Sequence, residues 1–314
     1  MKKILIIGAN GMLGQELINI FKKDKNYKVI GWSRKDLDIT KEKEVIKKIG
    51  FTKPDIIINA ATYNAVDKCE ENAKEYALAE SVNGLAPGYL AKAAKKNKAM
   101  LVQYSTDYVF DGDFEKLLNQ EPEGCAHVCA NCSLHENFQS IPGYDENAKP
   151  APVNKYGRTK LLGEKEVAKN IKNYYLIRTS KLFGKPAISE NAKKSFFDVM
   201  LEVGKKSKEV KVVDEETSCF TYAPDLAKKT KEIIDSEKPF GIYHITNSEP
   251  CTWYEACMEL YKLAKIKTKI IAIEGKEYSR PAKRPFYSVL INNKLNPLRN
   301  WKEALREYVE NIEN

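Results

Sequence analysis

Residues 4–14 constrain this chain more than any other stretch. Ile4-Leu5-Ile6-Ile7 is an unbroken apolar run, the pattern of a strand buried on both faces. Gly8-Ala9-Asn10-Gly11-Met12-Leu13-Gly14 follows at once, and Leu17, Ile18 and Phe21 continue at helical spacing. A strand, a glycine turn and a helix in that order make a phosphate cradle. Gly8 permits the tight turn, Gly11 lets backbone approach a pyrophosphate, and Gly14 lets helix and strand pack closely. The helix N-terminus adds unpaired N–H groups and a positive dipole end. Three glycines alone also fit an ordinary strand-to-helix turn. The preceding strand and the position at the chain start favour dinucleotide binding.

The rest of the chain repeats this alternation. Strands are predicted at residues 27–32, 54–61, 99–104 and 174–178. Helices are predicted at 41–49, with Thr40 as the cap, and over 71–96, interrupted near Asn83-Gly84 and Pro87; another opens at Tyr156. Strand–helix alternation argues an α/β fold with a Rossmann-type doubly wound parallel sheet. Beyond about residue 185 the pattern changes to short strands and amphipathic helices, at 195–203, 210–213, 224–234, 242–245, 253–264, 268–273 and 301–312. Residues 1–184 therefore read as an NAD(P)-binding Rossmann domain. Residues 185–314 read as a smaller C-terminal α/β substrate lobe, interleaved with the first.

Composition narrows the partners. The net charge is +9, but 45 of the 52 basic residues are Lys and they are scattered, so nucleic acid is not an expected partner. A general attraction for polyanionic small molecules fits that charge. No apolar run is long enough to cross a membrane, and Met1-Lys2-Lys3 leads straight into a strand, so no signal peptide or membrane partner is expected. Seven Cys is an odd number and suits a reducing compartment. The expected location is cytoplasmic; a homodimer is left open. Arg is scarce, and Arg34, Arg178, Arg280 and Arg284 all fall in stretches that matter below.

Ser33-Arg34 ends the second strand, where such folds hold the adenosine ribose. An acidic residue there would bond a 2′-hydroxyl, whereas Arg34 can accommodate a 2′-phosphate. NADPH is thus favoured over NADH, which stays open. The third strand ends in the small residues Ala60-Ala61, which let a cofactor lie close. Ser105-Thr106-Asp107-Tyr108-Val109-Phe110-Asp111-Gly112 falls at the carboxyl end of the next strand, the catalytic edge of an open α/β sheet. Tyr156 and Lys160, four residues apart, share one helical face. A nearby ammonium would draw a phenol down from about 10 toward working pH, making an acid for a carbonyl oxygen that receives hydride. Lys160 can also reach the nicotinamide ribose, and Thr106 can hydrogen-bond the same carbonyl. Chance alone predicts about two Tyr-x-x-x-Lys pairs at this composition, and the chain has two. The second, Tyr261/Lys265, sits among Leu260, Leu263 and Ala264 and reads as core.

These residues resemble the dTDP-4-dehydrorhamnose reductase family of extended short-chain dehydrogenases/reductases. The matching stretches are the Gly8–Gly14 turn, Ile58-Asn59-Ala60-Ala61 through Ala65-Val66-Asp67-Lys68, the Ser105–Gly112 block, Tyr156-Gly157-Arg158-Thr159-Lys160-Leu161-Leu162-Gly163-Glu164, Arg178-Thr179-Ser180, Arg284-Pro285 and Ser288-Val289-Leu290. The resemblance covers nearly the whole chain. It implies Thr106, Tyr156 and Lys160 as the catalytic set and hydride transfer from NAD(P)H to C4 of a nucleotide-linked 4-keto-6-deoxysugar. It implies cofactor contacts from Gly8, Asn10, Gly11, Met12, Leu13, Gly14, Ser33, Arg34, Asp38, Ile39, Ala60, Ala61, Tyr156, Lys160 and Arg178. It implies substrate contacts from Val66, Asp67, Thr106, Tyr108, Phe183 and Arg284. In the 214–222 stretch the chain departs from the family's Gly-Ser-Pro-Thr-Tyr turn, with Ser218 and Phe220 in place of Gly and Pro. Two other readings stay open: a non-catalytic NADP-binding regulatory subunit, and a sugar-nucleotide epimerase. Retention of Thr106, Tyr156 and Lys160 counts against the first, and the Ser-Thr-Asp-Tyr-Val-Phe block against the second.

A second departure is an insertion at about 113–150. Within it, three of the seven Cys and two of the three His fall between Cys125 and His135. Cys125, Cys129, Cys132 and His135 could form a tetrahedral zinc site, with His127 as a substitute ligand. The alternatives are an iron–sulfur cluster, a metal-free insertion with reactive thiols, and a local disulfide.

Overall fold

The structure, a computed structural model, describes residues 1–118, 142–188 and 192–313. The first half runs β1 (Lys2–Ile7), α1 (Met12–Lys22), β2 (Tyr27–Trp32), α2 (Glu42–Thr52), β3 (Ile56–Asn59), α3 (Lys68–Glu71), α4 (Ala73–Ala79), α5 (Ala86–Lys96), β4 (Met100–Thr106), α6 (Phe114–Leu118), α7 (Lys155–Asn170) and β5 (Tyr174–Thr179). It continues with β6 (Leu182–Phe183), α8 (Phe196–Lys206), β7 (Glu209–Val213), β8 (Thr221–Tyr222), α9 (Ala223–Asp235), β9 (Gly241–His244), β10 (Asn247–Ser248), α10 (Trp253–Leu263), β11 (Lys269–Ile273), β12 (Leu298–Asn300) and α11 (Trp301–Glu313).

Six strands form one sheet in the order β2-β1-β3-β4-β5-β9, and every pairing is parallel. The Ile4-Leu5-Ile6-Ile7 run serves both faces. Ile4 and Ile6 pack with Leu17 and Phe21 of α1 and Leu226 and Ile233 of α9. Leu5 and Ile7 pack with Val45 and Ile49 of α2, Leu90 of α5 and Val167 of α7. Each such side chain removed from water contributes roughly 1.5–3 kcal/mol. Helices on both faces of an all-parallel sheet make this the expected doubly wound α/β fold.

The remaining strands form two-stranded pairs, β6 with β8, β7 with β11 and β10 with β12. With α8, α10 and α11 they surround an aromatic core of Phe183, Phe197, Phe220, Tyr222, Trp301 and Tyr308. The chain leaves this lobe more than once: α9 crosses to cover β1, β9 pairs with β5 at the sheet edge, and residues 284–295 return to the first half, with Leu290 bridged to Tyr144 and Leu295 packed on the β1 core.

The helical region over 71–96 is interrupted at Asn83-Gly84 as expected, by a π-helical turn over Glu80–Leu85 that joins α4 to α5. That turn carries Asn83 inward, where its amide donates to the Tyr63 carbonyl at 2.8 Å and accepts from the Tyr63 N–H at 2.9 Å. Pro87 sits in the first turn of α5, where its missing N–H costs nothing. Thr40 does not cap α2: its N–H and hydroxyl both donate to Asp38 Oδ1, at 3.1 and 2.7 Å, and Lys41 occupies the cap without a side-chain bond. Among the described residues, no helix is long and apolar enough to cross a membrane.

Candidate active site

β1 lies between β2 and β3, so successive connections run to opposite sides of it. The crevice beyond the carboxyl ends of β1 and β3 is the switch point where open α/β sheets hold ligands. Gly8 turns the chain there with φ +82°, a conformation that side chains disfavour. A Cβ on Gly8 would lie 2.6 Å from the Ala61 nitrogen, and one on Gly14 would lie 2.1 Å from the Gly8 oxygen. The N–H groups of Gly8 and Ala9 both donate to the Trp32 carbonyl, tying the turn to β2. α1 then starts after Gly11 with no side-chain cap and no acidic residue in its first turn. This end, with the small walls at Ala60 and Ala61, fits a dinucleotide pyrophosphate. Residues 186–188 lie across the turn: Ile188 N–H donates to the Asn10 carbonyl at 3.0 Å, and Gln15 Nε2 to the Pro186 carbonyl at 3.1 Å.

At the end of β2, the Ser33 N–H and hydroxyl both donate to Asp36 Oδ2 at 2.7 Å. Arg34 is exposed beside them. Asp38 is held down in acidity range by Thr40, and Ile39 is part of the core.

Thr106 ends β4 and Tyr156 opens α7, whose N-cap Asn154 accepts from the Gly157 N–H at 2.7 Å. Tyr156 is buried with Val66, Cys69, Ala79 and Ala282, and its ring meets Tyr108 edge-on at 5.9 Å. Lys160, one turn on, is 6% exposed and donates to the Tyr104 carbonyl of β4 at 2.8 Å. Burial draws its ammonium down to about 8.

Three expectations fail here. Lys160 does not draw the Tyr156 phenol down. Burial pushes that phenol well above its ordinary value, and Asp107, Tyr108 and Cys69 add to the effect, with a hydrogen bond to Thr62 opposing. Arg178 does not present its guanidinium to the cofactor crevice. It is 2% exposed and forked onto Glu164, Nε to Oε1 at 3.0 Å and Nη2 to Oε2 at 2.7 Å, over the Phe110 ring. Phe183 does not line a substrate site. β6 pairs with β8, which turns the ring into the lobe core against Phe197, Tyr222 and Tyr308.

Of the residues expected at the substrate, Arg284 pairs with Asp67 and also donates to the Ala282 carbonyl. The guanidinium holds the Asp67 carboxyl below the usual range. Several neighbours were not singled out in the sequence. Glu216 accepts from Arg280 and from the Trp253 indole. Lys181 donates to the Glu216 carbonyl at 3.1 Å and lies 4.0 Å over the Trp253 ring. Asp107 and Ser288 share a buried bond. Asp107 and Ser288 did lie within the matching blocks, which was the available signal. Of the two departing positions, Phe220 stacks on Phe197 at 4.8 Å, and the buried Ser218 hydroxyl has no hydrogen-bond partner among the described residues.

Tyr261 donates to the Met200 carbonyl inside the lobe core, and Lys265 falls beyond the end of α10, so the second Tyr/Lys pair is structural. Cys125, Cys129, Cys132, His135 and His127 lie outside the described residues. Among the described residues, no group of three or more His, Cys, Asp or Glu is placed to hold a metal, and Cys69, Cys219, Cys251 and Cys257 are free and buried.

The profile of the RmlD substrate binding domain family matches residues 1–314. The chain is 31% identical to the spore coat polysaccharide biosynthesis protein SpsK of Bacillus subtilis, over 99% of this chain and 98% of that protein. A crystal structure of a dTDP-4-dehydrorhamnose reductase from Clostridium acetobutylicum superposes with a TM-score of 0.85 at 36% identity, covering 99% of this chain and 100% of that one. The dTDP-4-dehydrorhamnose reductase of Bacillus anthracis, solved in complex with NADP, gives a TM-score of 0.83 at 31% identity, covering 100% and 99%. With a match along its whole length and relatives at this identity, the chain belongs to the RmlD family, that of the dTDP-4-dehydrorhamnose reductases.

Proposed function

We propose that this chain is an NADPH-dependent oxidoreductase that reduces the C4 keto group of a nucleotide-linked 4-keto-6-deoxysugar, converting dTDP-4-dehydrorhamnose to dTDP-L-rhamnose. One observation carries this reading: α7 brings Lys160 onto the Tyr104 carbonyl and the Tyr156 ring onto Tyr108, on either side of Thr106 at the carboxyl end of β4, in a fold that also holds a glycine cradle shaped for a dinucleotide. A bound nicotinamide would supply the hydride. The backbone from Gly8 to Gly14 would hold the pyrophosphate, and Arg34 the 2′-phosphate.

The Tyr156 O–H is protonated, as a proton donor to the keto oxygen must be; burial raises the phenol and so does not itself strengthen it as an acid. Its O–H gives the proton to the oxyanion forming at C4, and the Thr106 hydroxyl donates a hydrogen bond to the same oxygen. Lys160, anchored on Tyr104, would reach the nicotinamide ribose and hold it against α7. Asp67, Arg284, Tyr108 and Val66, which lie together, would surround the sugar and its diphosphate.

The test is oxidation of NADPH by purified protein with a panel of dTDP-, UDP- and GDP-4-keto sugars. Turnover with the dTDP sugar, and little with the others, is expected. No oxidation with any of them would reject the reading. Zinc at Cys125, Cys129, Cys132 and His135 is a separate proposal, supported by the density of ligating residues there. About one zinc per chain in chelator-free protein is expected.

A further inference from the structure

Thr106 has one hydroxyl proton, and in this structure a carboxylate takes it. It goes to Asp107 Oδ1, 2.9 Å away, while the Tyr108 N–H donates to the hydroxyl oxygen at 3.2 Å. The second carboxylate oxygen of Asp107 accepts from the Ser288 hydroxyl at 2.6 Å. Asp107 is 2% exposed and Ser288 3%. Ser288 is itself fixed by backbone: its N–H donates to the Thr217 carbonyl at 2.9 Å, and that of Tyr287 to the Gly112 carbonyl at 3.2 Å. A carboxylate anchored by the C-terminal segment thus competes with the substrate oxygen for the proton that Thr106 has to give.

We propose that Asp107 is a positioning residue that sets the direction of the Thr106 hydroxyl, and that Ser288 sets Asp107. This rests on the reductase reading of Thr106. A hydroxyl donates once. With Asp107 ionised, the carboxylate takes the Thr106 proton and the substrate oxygen receives none from it. With Asp107 protonated, its own O–H donates to the Thr106 oxygen, and the Thr106 proton turns to the substrate. Asp107 takes up one proton from solvent, the Asp107–Thr106 hydrogen bond reverses direction, and the freed Thr106 O–H forms a new bond to the substrate oxygen.

The surroundings make both states accessible. Burial pushes the Asp107 carboxyl up to about 6, against the bonds from Ser288 and Thr106 and the charge of Lys181. Tyr108 on the same turn, Tyr156 on α7 and Cys219 before β8 also face it, each raised by its own burial.

The experiment measures kcat and KM for the keto sugar across about pH 5 to about pH 8, in the wild type, Asp107→Asn, Thr106→Val and the double variant. The wild-type kcat should fall several-fold as pH rises through the Asp107 range, with KM nearly constant. Asp107→Asn should remove that limb. In the Thr106→Val background, Asp107→Asn should change nothing further, because the effect passes through Thr106. Persistence of the limb in Asp107→Asn, or an equal effect of that change in both backgrounds, would overturn the proposal. Should Asp107→Asn not fold, Ser288→Ala serves. Loss of its bond should move the limb to higher pH, and an unmoved limb would count against the idea.

If no 4-keto sugar nucleotide oxidises NADPH, the reaction reading fails by itself. The Asp107–Thr106 link is then read by infrared titration of the buried carboxyl. Its midpoint should rise in Thr106→Val, and an unchanged midpoint would reject the link.

Discussion

Arg284 and Asp67, 217 residues apart in sequence, meet through two parallel hydrogen bonds, Nη1 to Oδ1 at 2.5 Å and Nη2 to Oδ2 at 2.7 Å. The fork ties the segment after Tyr278 to the start of α3, beside the ring of Tyr108. Lysine keeps the charge but loses the fork. Arg284→Lys should raise KM for the sugar nucleotide about tenfold while kcat stays within a few-fold, which steady-state kinetics would read. An unchanged KM would separate this pair from substrate binding.

Tyr156→Phe should lower kcat by about 10²-fold or more, the scale of a lost general acid. The ring keeps its packing against Val66 and Ala282. NADPH affinity, measured by calorimetric titration, should therefore stay near that of the wild type. Near-normal turnover would remove Tyr156 from the proton-donor role.

Arg34→Asp should move preference from NADPH toward NADH. The carboxylate would accept from a 2′-hydroxyl and repel a 2′-phosphate. Arg34 is exposed, so the change should leave the thermal midpoint close to the wild-type value. The readout is the ratio of kcat/KM for the two cofactors, and an unchanged ratio would take Arg34 out of cofactor choice.

His244 makes a prediction about acid. It is fully buried with Nδ1 between the carbonyls of Tyr144 and Ile291, and burial with Arg178 nearby draws it down to about 3. Below about 6.5 the unfolded chain takes up a proton that the folded chain refuses, so stability falls as pH drops from there toward 3. Asp107 works the other way: its raised carboxyl makes the folded state the better proton binder between about 6 and about 3.9, which offsets part of the loss. His244→Asn should therefore lose less thermal midpoint between neutral pH and about pH 5 than the wild type does. Equal losses would exclude His244 as a source of acid sensitivity.

Glu164→Ala should be the most damaging of these changes. It leaves the Arg178 guanidinium buried without its carboxylate, and the Ser105 hydroxyl without an acceptor at 2.5 Å. A loss of about 3–5 kcal/mol in denaturant unfolding is expected. A loss below about 1 kcal/mol would mean that water or a neighbour replaces the carboxylate.

The glycine turn and the sheet were legible because both are local. Gly8 and Gly14 announce a turn that only small residues can make, and strand and helix periods are written in consecutive residues. What a long side chain reaches is not local. Arg178 ends a strand at the catalytic edge, and nothing at that position announces that Glu164 on α7 waits underneath. Phe183 follows the same edge, but its direction depends on β8, some forty residues later. Lys160 does share a helical face with Tyr156, yet the Tyr104 carbonyl, a backbone group, takes its ammonium. Backbone acceptors have no signature in a sequence. The interruption at Asn83-Gly84 was legible, but its π-helical form was not, because the bond from Asn83 to Tyr63 spans twenty residues.

The passage of α9 and β9 into the main sheet has a bearing on modularity. No single cut separates the two lobes. A fragment ending near residue 184 would leave β5 as a raw edge, with its N–H and C=O groups open to pairing with another chain. It would also strip Leu226, Ile233 and Ile234 from the face over β1. Such a fragment would be prone to aggregate, and the C-terminal lobe cannot be exchanged between relatives as one cassette. Any recombination of specificity must splice on both sides of residues 223–244 and again around residues 284–295, leaving both excursions with the sheet and the Asp67, Asp107 and Tyr144 groups they meet.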